Sequence, residues 1–103
     1  MMLLNIDYIP GKNFEVLGLV DGSVVQAKGP MSDFLAGLEA FAGGEVTEYT
    51  ELLAEARQTA VERMMNVAES LGADAVINIR YSTSEVSQGA AEIVAYGTAV
   101  KFV

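Results

Sequence analysis

Residues 44–72 read GEVTEYTELLAEARQTAVERMMNVAESLG. Val46, Tyr49, Leu53, Ala56, Ala60, Met64, Val67 and Leu71 recur three and four residues apart, which is the spacing of one helix face. Leu52, Val61, Met65 and Ala68 widen that stripe on one flank. Glu45, Glu48 and Glu51 crowd the start, where the helix dipole favours anions, and Gly72 is the residue type that ends a helix. The spacing therefore predicts a helix of about 26 residues, roughly 39 Å long. The stripe and its two methionines are read as core rather than as a cofactor site.

Working outward from the helix, strands are predicted on both sides. Downstream, residues 75–82 alternate, with Ala75, Ile77, Ile79 and Tyr81 on one face and Val76, Asn78, Arg80 and Ser82 on the other. Polar residues 83–89 predict a turn, and residues 91–102 a last strand of about 12 residues, roughly 40 Å long. On that strand Ala91, Ala95, Gly97 and Ala99 make a face of small side chains, well sized for the long helix to lie across. Glu92, Val94, Tyr96 and Thr98 point the other way. Upstream, residues 14–20 predict a first strand, Asp21-Gly22 a tight turn, and residues 23–28 a returning strand that Gly29-Pro30 ends. Residues 31–42 show helical spacing with Ser32 as N-cap, followed by a Gly43-Gly44 break.

The reading is one α+β domain over residues 1–103. An antiparallel four-stranded sheet, made of two hairpins, is packed by one long and one short helix in two layers. Both long elements exceed the ~13 Å radius of gyration of a lone compact domain of this size. An open four-stranded sheet also leaves two unpaired edges, which pairing between copies would cover. Hydrophobic residues make up 51% of the 103 residues and mean hydropathy is +0.33, an apolar excess that suits an interface. These three features together predict a homo-oligomer, assembled as a ring.

Composition also excludes. The chain has no Cys and no His, so within one chain thiolate nucleophiles, imidazole bases, disulfides and the usual zinc or copper sites are ruled out. Fourteen acids against six bases give a net charge of −8, and the bases are scattered, so neither nucleic acid nor an anionic membrane is an expected partner. No apolar run approaches the ~18 residues that cross a bilayer, and the start lacks a basic leader, so a cytoplasmic location is expected.

The stretch YTELLAEARQTAVERMMNVAESLGADAVINIRYSTSE, with GAAEIVAYGTAV after it and LGLV and DFLAGLEAFAGGE before it, resembles the YbjQ-like family along nearly the whole chain. That is an uncharacterised family labelled in places "putative heavy-metal-binding". The resemblance implies an α+β domain in a homopentameric ring, and it implies no catalytic residue.

The candidate ligand or interface residues are Arg57, Asp74, Arg80, Glu92, Tyr96 and Thr98; no catalytic residue, metal ligand or cofactor is assigned. Arg57 and Arg63 have no acidic partner three or four residues away on their own helix, so partners on other elements or copies are sought in Glu92 and Asp74. Asp74 in GADAV is alternatively a turn residue. Glu85 and Glu92 offer a carboxylate pair across the last hairpin, as acid and base or as a Mg or Ca site; Ser82, Thr83 and Ser84 lack an activating base and read as turn chemistry. Tyr96, Thr98, Arg80 and Glu92 would contact a small ligand if their face lines a ring interior or an interface. A non-enzymatic scaffold or binding protein is the first expectation. A small-molecule or ion-binding ring is the second, and a carboxylate- or metal-dependent hydrolase the last.

Overall fold

A computed structural model describes residues 1–27, 47–87 and 90–103. Strand β1 spans Met2–Leu3, β2 Phe14–Ala27, helix α1 Thr47–Ser70, β3 Ala75–Ser87 and β4 Ala90–Phe102. The strands form one sheet in the order β1-β3-β4-β2. The α+β class and the β3–β4 hairpin agree with the sequence reading. Two other expectations do not.

The sheet is mixed rather than purely antiparallel. Met2 and Leu3 pair in parallel with Ala75 and Val76 at the edge of β3. A two-residue strand carries no alternation pattern, so periodicity cannot reveal it. Nor does a first hairpin exist. Residues 14–27 run as one strand, antiparallel to β4 along its length, with Asp21 opposite Tyr96 and Gly22 opposite Ala95. Asp-Gly is a strong turn pair, yet here the glycine answers a packing demand. A Cβ on Gly22 would collide with the backbone of α1 at Ala60, Arg63 and Met64. The helix presses directly on β2, and the side chain of Arg63 locks the crossing by donating to Ser23 O at 2.6 Å. The short helix predicted over residues 31–42, its Ser32 cap, the Gly29-Pro30 strand end and the Gly43-Gly44 break lie outside the described residues. What is described is one chain; the expected ring is a matter of how copies meet.

The main core lies between helix and sheet. Ala56, Ala60, Met64 and Ala68 meet Val20, Val24, Val76, Ile93, Ala95 and Ala99, all buried. The buried ridge follows the i, i+4 row 56-60-64-68, so Val67 and Leu71, expected in the stripe, are exposed. Small residues on both sides let the helix axis come close, as anticipated from the β4 alanines. Gly97 differs from expectation: a Cβ there would sit 2.8 Å from Ile77 O and 2.8 Å from Val76 Cγ1, so it is strand β3 that crowds it.

A second, smaller cluster covers the opposite sheet face at one end. Ile9, Ala75, Ile77 and Val100 are buried there, with Leu4, Phe14 and Phe102 packed against them. Lys12 Nζ stands 5.1 Å from the centre of the Phe102 ring. The chain between β1 and β2 thus folds across the sheet and closes that end.

At the end of α1, Gly72 has φ +79°, Gly72 N donates to Glu69 O at 3.0 Å, and Ala73 N donates to Ala68 O at 3.1 Å. This paired pattern is a Schellman stop, and it places Asp74 at the mouth of β3. Strand β3 then carries a bulge. Its register to β4 shifts between Ile77 and Arg80, and Asn78 adopts φ 54°, a conformation Asn tolerates better than most residues. The bulge moves the following side chains, as far as a second register shift between Glu85 and Ser87, to the other face, so Ile79 joins the helix-side core while Arg80 does not. The expected polar turn over 83–89 is also displaced, since β3 continues to Ser87.

The molecule is elongated, 55 × 24 × 16 Å, with a radius of gyration of 16.9 Å. That exceeds the ~13 Å typical of this length.

Candidate functional site

Strand register decides which candidate residues meet. Arg80 of β3 and Asp21 of β2 are both partners of Tyr96 on β4, so the three stand in a row across the sheet. Ile77, Thr98 and Leu19 form a neighbouring row, and Ser84, Glu92 and Val25 another. All lie on the face away from the helix. Four of the six predicted residues, Arg80, Glu92, Tyr96 and Thr98, are therefore on one surface, and the β3 bulge is what puts Arg80 there. Among the described residues that surface is bare beyond the end closed by residues 4–13. Leu19 is 76% exposed and Val25 58%, and Asp21, Ser23, Ser82 and Ser84 are exposed too.

The other two candidates sit elsewhere. Asp74 binds neither Arg57 nor its own turn. Its Oδ2 accepts from Phe102 N at 2.8 Å and lies 3.9 Å from Lys101 Nζ, while Lys101 Nζ donates to Gly72 O at 3.3 Å. Asp74 thus ties the helix stop to the end of β4. Arg57 is exposed on α1, and no hydrogen bond or ion pair reaches it among the described residues. Arg63 found its cross-element partner in a carbonyl rather than an acid.

The carboxylate pair does not form. Glu92 is registered with Ser84 and Glu85 with Ala91, one residue out of step, so the two acids point to opposite faces. The hydroxyls of 82–84 belong to strand β3 rather than to a turn.

Sequence reasoning missed Asp21, which it spent on a turn. Val20, Gly22 and Val24 alternate without a break across Asp-Gly, and that uninterrupted period was the available signal. It also missed a groove between α1 and the β1/β3 edge. The groove holds about 610 Å³ and is lined by apolar Leu3, Leu4, Val61 and Ile79 together with Asn5, Arg80 and Tyr81. Arg80 Nη1 donates to Asn5 O and to Ile79 O, each at 3.1 Å, and among the described residues its other guanidinium nitrogens have no partner.

Two sheet edges are open among the described residues. The ladder of β1 stops at Leu3, and two further bonds, Ile79 N to Leu4 O and Asn78 N to Ile6 O, end the cover of β3 at the bulge. Beyond it, residues 80–87 have no strand on their outer side. The outer side of β2 is open along its 14 residues.

The YbjQ_1 family model, described as "Putative heavy-metal-binding", matches residues 1–103. A UPF0145 protein from Clostridium novyi is 55% identical over 101 residues, covering 98% of each chain. Another from Alkaliphilus metalliredigens is 52% identical over 103 residues and the full length of both, and one from Thermotoga maritima is 53% identical over 102 residues, covering 98% of this chain and 96% of its own. Among solved structures, a protein of unknown function of the DUF74 family from Pediococcus pentosaceus superposes with a TM-score of 0.65 over 100% of this chain and 98% of its own. At 16% identity that likeness concerns the fold alone.

The donor set does not fit the family description. Soft metals are held by thiolate and imidazole, and the chain has neither Cys nor His. Among the described residues no three carboxylates gather where they could hold an ion. No helix among them is long and apolar enough to cross a membrane.

Proposed function

We propose, for a chain that belongs to the YbjQ-like (UPF0145) family, that it is a non-catalytic subunit of a closed homopentamer acting as a scaffold or binding protein. The observation that carries this reading is the pair of sheet edges that are open among the described residues, flanked by exposed apolar side chains. Unpaired strand edges invite pairing, and natural proteins cover or blunt them. The register of β2 shifts once, between Val16 and Gly18, and its outward face carries exposed Val16, Leu19 and Val25. A closed head-to-tail assembly leaves no edge over. The pentameric number follows the family resemblance. Native mass spectrometry at micromolar concentration tests it: a pentamer supports the reading, and a monomer overturns it.

A second reading is favoured by the groove at Leu3, Leu4, Val61 and Ile79. An apolar trough with a partly free guanidinium in its lining suits a small molecule with an apolar body and a carboxylate. The groove opens beside the bare edge of β3, so a neighbouring copy would form part of its wall. A stoichiometric organic adduct on the oligomer, lost in Arg80→Ala, is the expected result; an adduct-free oligomer that binds no carboxylate from a screen of apolar acids contradicts it.

A further inference from the structure

We infer that the open edge of β3, residues 80–87, receives the open edge of β2 from a second copy of this chain, in parallel, with Arg80 beside Asp21 of that copy. The inference rests on the homo-oligomer proposed above and names the surface that would build it.

Direction follows from topology. β2 and β3 are each antiparallel to β4, so they run parallel to one another. Copies related by rotation about an axis along the strands keep that direction. An incoming β2 would therefore run parallel to β3, as β1 already does at the other end of the same edge. The incoming strand would take up the position that β1 vacates where the chain turns away at the bulge.

Length and chemistry agree. The free edge of β3 offers eight residues and β2 offers fourteen, so one strand covers the other with residues to spare. Arg80 is the single cation of β3, and Asp21 is the single acid of β2 on the face away from the helix, where Arg80 also lies. Two residues further on, Ser82 falls beside Ser23 of the second copy, and Ser84 beside Val25. The incoming strand would also give Val25, Tyr81 and Val86, all more than half exposed, a neighbouring strand to pack on. A two-fold arrangement pairing β2 with β2 would set Asp21 near its own copy and leave Arg80 and the edge of β3 uncovered.

The absence of cysteine makes the test clean. Ser23 and Ser82 are exposed, and β4 lies between their strands, so within one chain they are separated by two strand spacings, roughly 9.6 Å. A disulfide needs Cα atoms within ~7 Å. In the double variant Ser23→Cys with Ser82→Cys, mild oxidation should give a reducible ladder of covalent multimers, while each single variant stays uncrosslinked. An oligomer that yields no ladder overturns this interface and leaves the oligomer itself standing. Dimers from Ser23→Cys alone overturn it in favour of two-fold pairing. A monomeric wild type overturns both. Charge reversal gives a second readout on unlinked protein: Arg80→Asp and Asp21→Arg should each weaken association severalfold, and the two together should restore it; three variants that associate like wild type contradict the inference.

Discussion

At the residue scale, two glycines of the sheet show how one residue type serves different neighbours. Gly22 lies under helix α1, and any Cβ meets fixed helix backbone. Backbone cannot rotate aside as a side chain can, so Gly22→Ala should cost about 3 kcal/mol or more, read as a lowered midpoint in urea unfolding. Gly97 is crowded by one carbonyl and by the tips of Val76 and Ile79. Gly97→Val should also destabilise, but by splaying β3 from β4. Its signature is faster amide exchange in β3 with the helix amides still protected. Asp74 makes the complementary case for a polar residue. Its carboxylate accepts the Phe102 amide and neighbours Lys101. Asp74→Ala orphans that part-buried amide and should cost about 1–2 kcal/mol, measured by thermal or urea unfolding.

At the element scale, long-range pattern was legible and local punctuation was not. The 24-residue helix, its Gly72 stop, the β3–β4 hairpin and the small-residue face of β4 all follow from periodicity that tertiary contacts then use. Asp21-Gly22 misled because a turn dipeptide and a close-approach glycine look the same in one sequence; only the position of α1 tells them apart. Asn78 hid a bulge for a similar reason. A single αL residue inside a strand leaves the composition unchanged yet reverses the side chains that follow it, which is why Tyr81 and Arg80 exchanged faces. The bulge also decides the candidate site, since it brings Arg80 beside Tyr96. Asn78→Val, a β-branched residue at φ 54°, should therefore be strained by about 1–3 kcal/mol, whereas Asn78→Gly should fold with near wild-type stability. Equal unfolding midpoints for the two variants would show that the bulge is not what fixes the register.

At the scale of the whole molecule, shape and surface point the same way. A chain of 103 residues drawn out to 55 Å buries one ridge of its helix, but among the described residues much of the other sheet face and two strand edges stay open. Exposed apolar side chains stand there, Val16, Leu19 and Val25 on the outer face and Tyr81 and Val86 on the edge strand β3. Of the candidate residues, Glu92, Tyr96 and Thr98 were legible as one face because strand alternation orders them, whereas Arg80 joins them only through the bulge. Arg57 and Asp74 were drawn together by charge alone, which carries no information on distance. The groove beside β1 was not legible, because a two-residue strand and the loop after it have no pattern to read.

Residue-resolved hydrogen exchange on the wild-type protein shows whether the two edges are paired between copies. In a strand at the edge of a sheet, alternate amides face outward and exchange as fast as open chain. Paired edges give protection of consecutive amides, with no alternation, through residues 80–87 and through the part of 14–27 that lies against them. Rapid exchange at every second residue of both strands would contradict the pairing, for it would leave the two edges bare in solution.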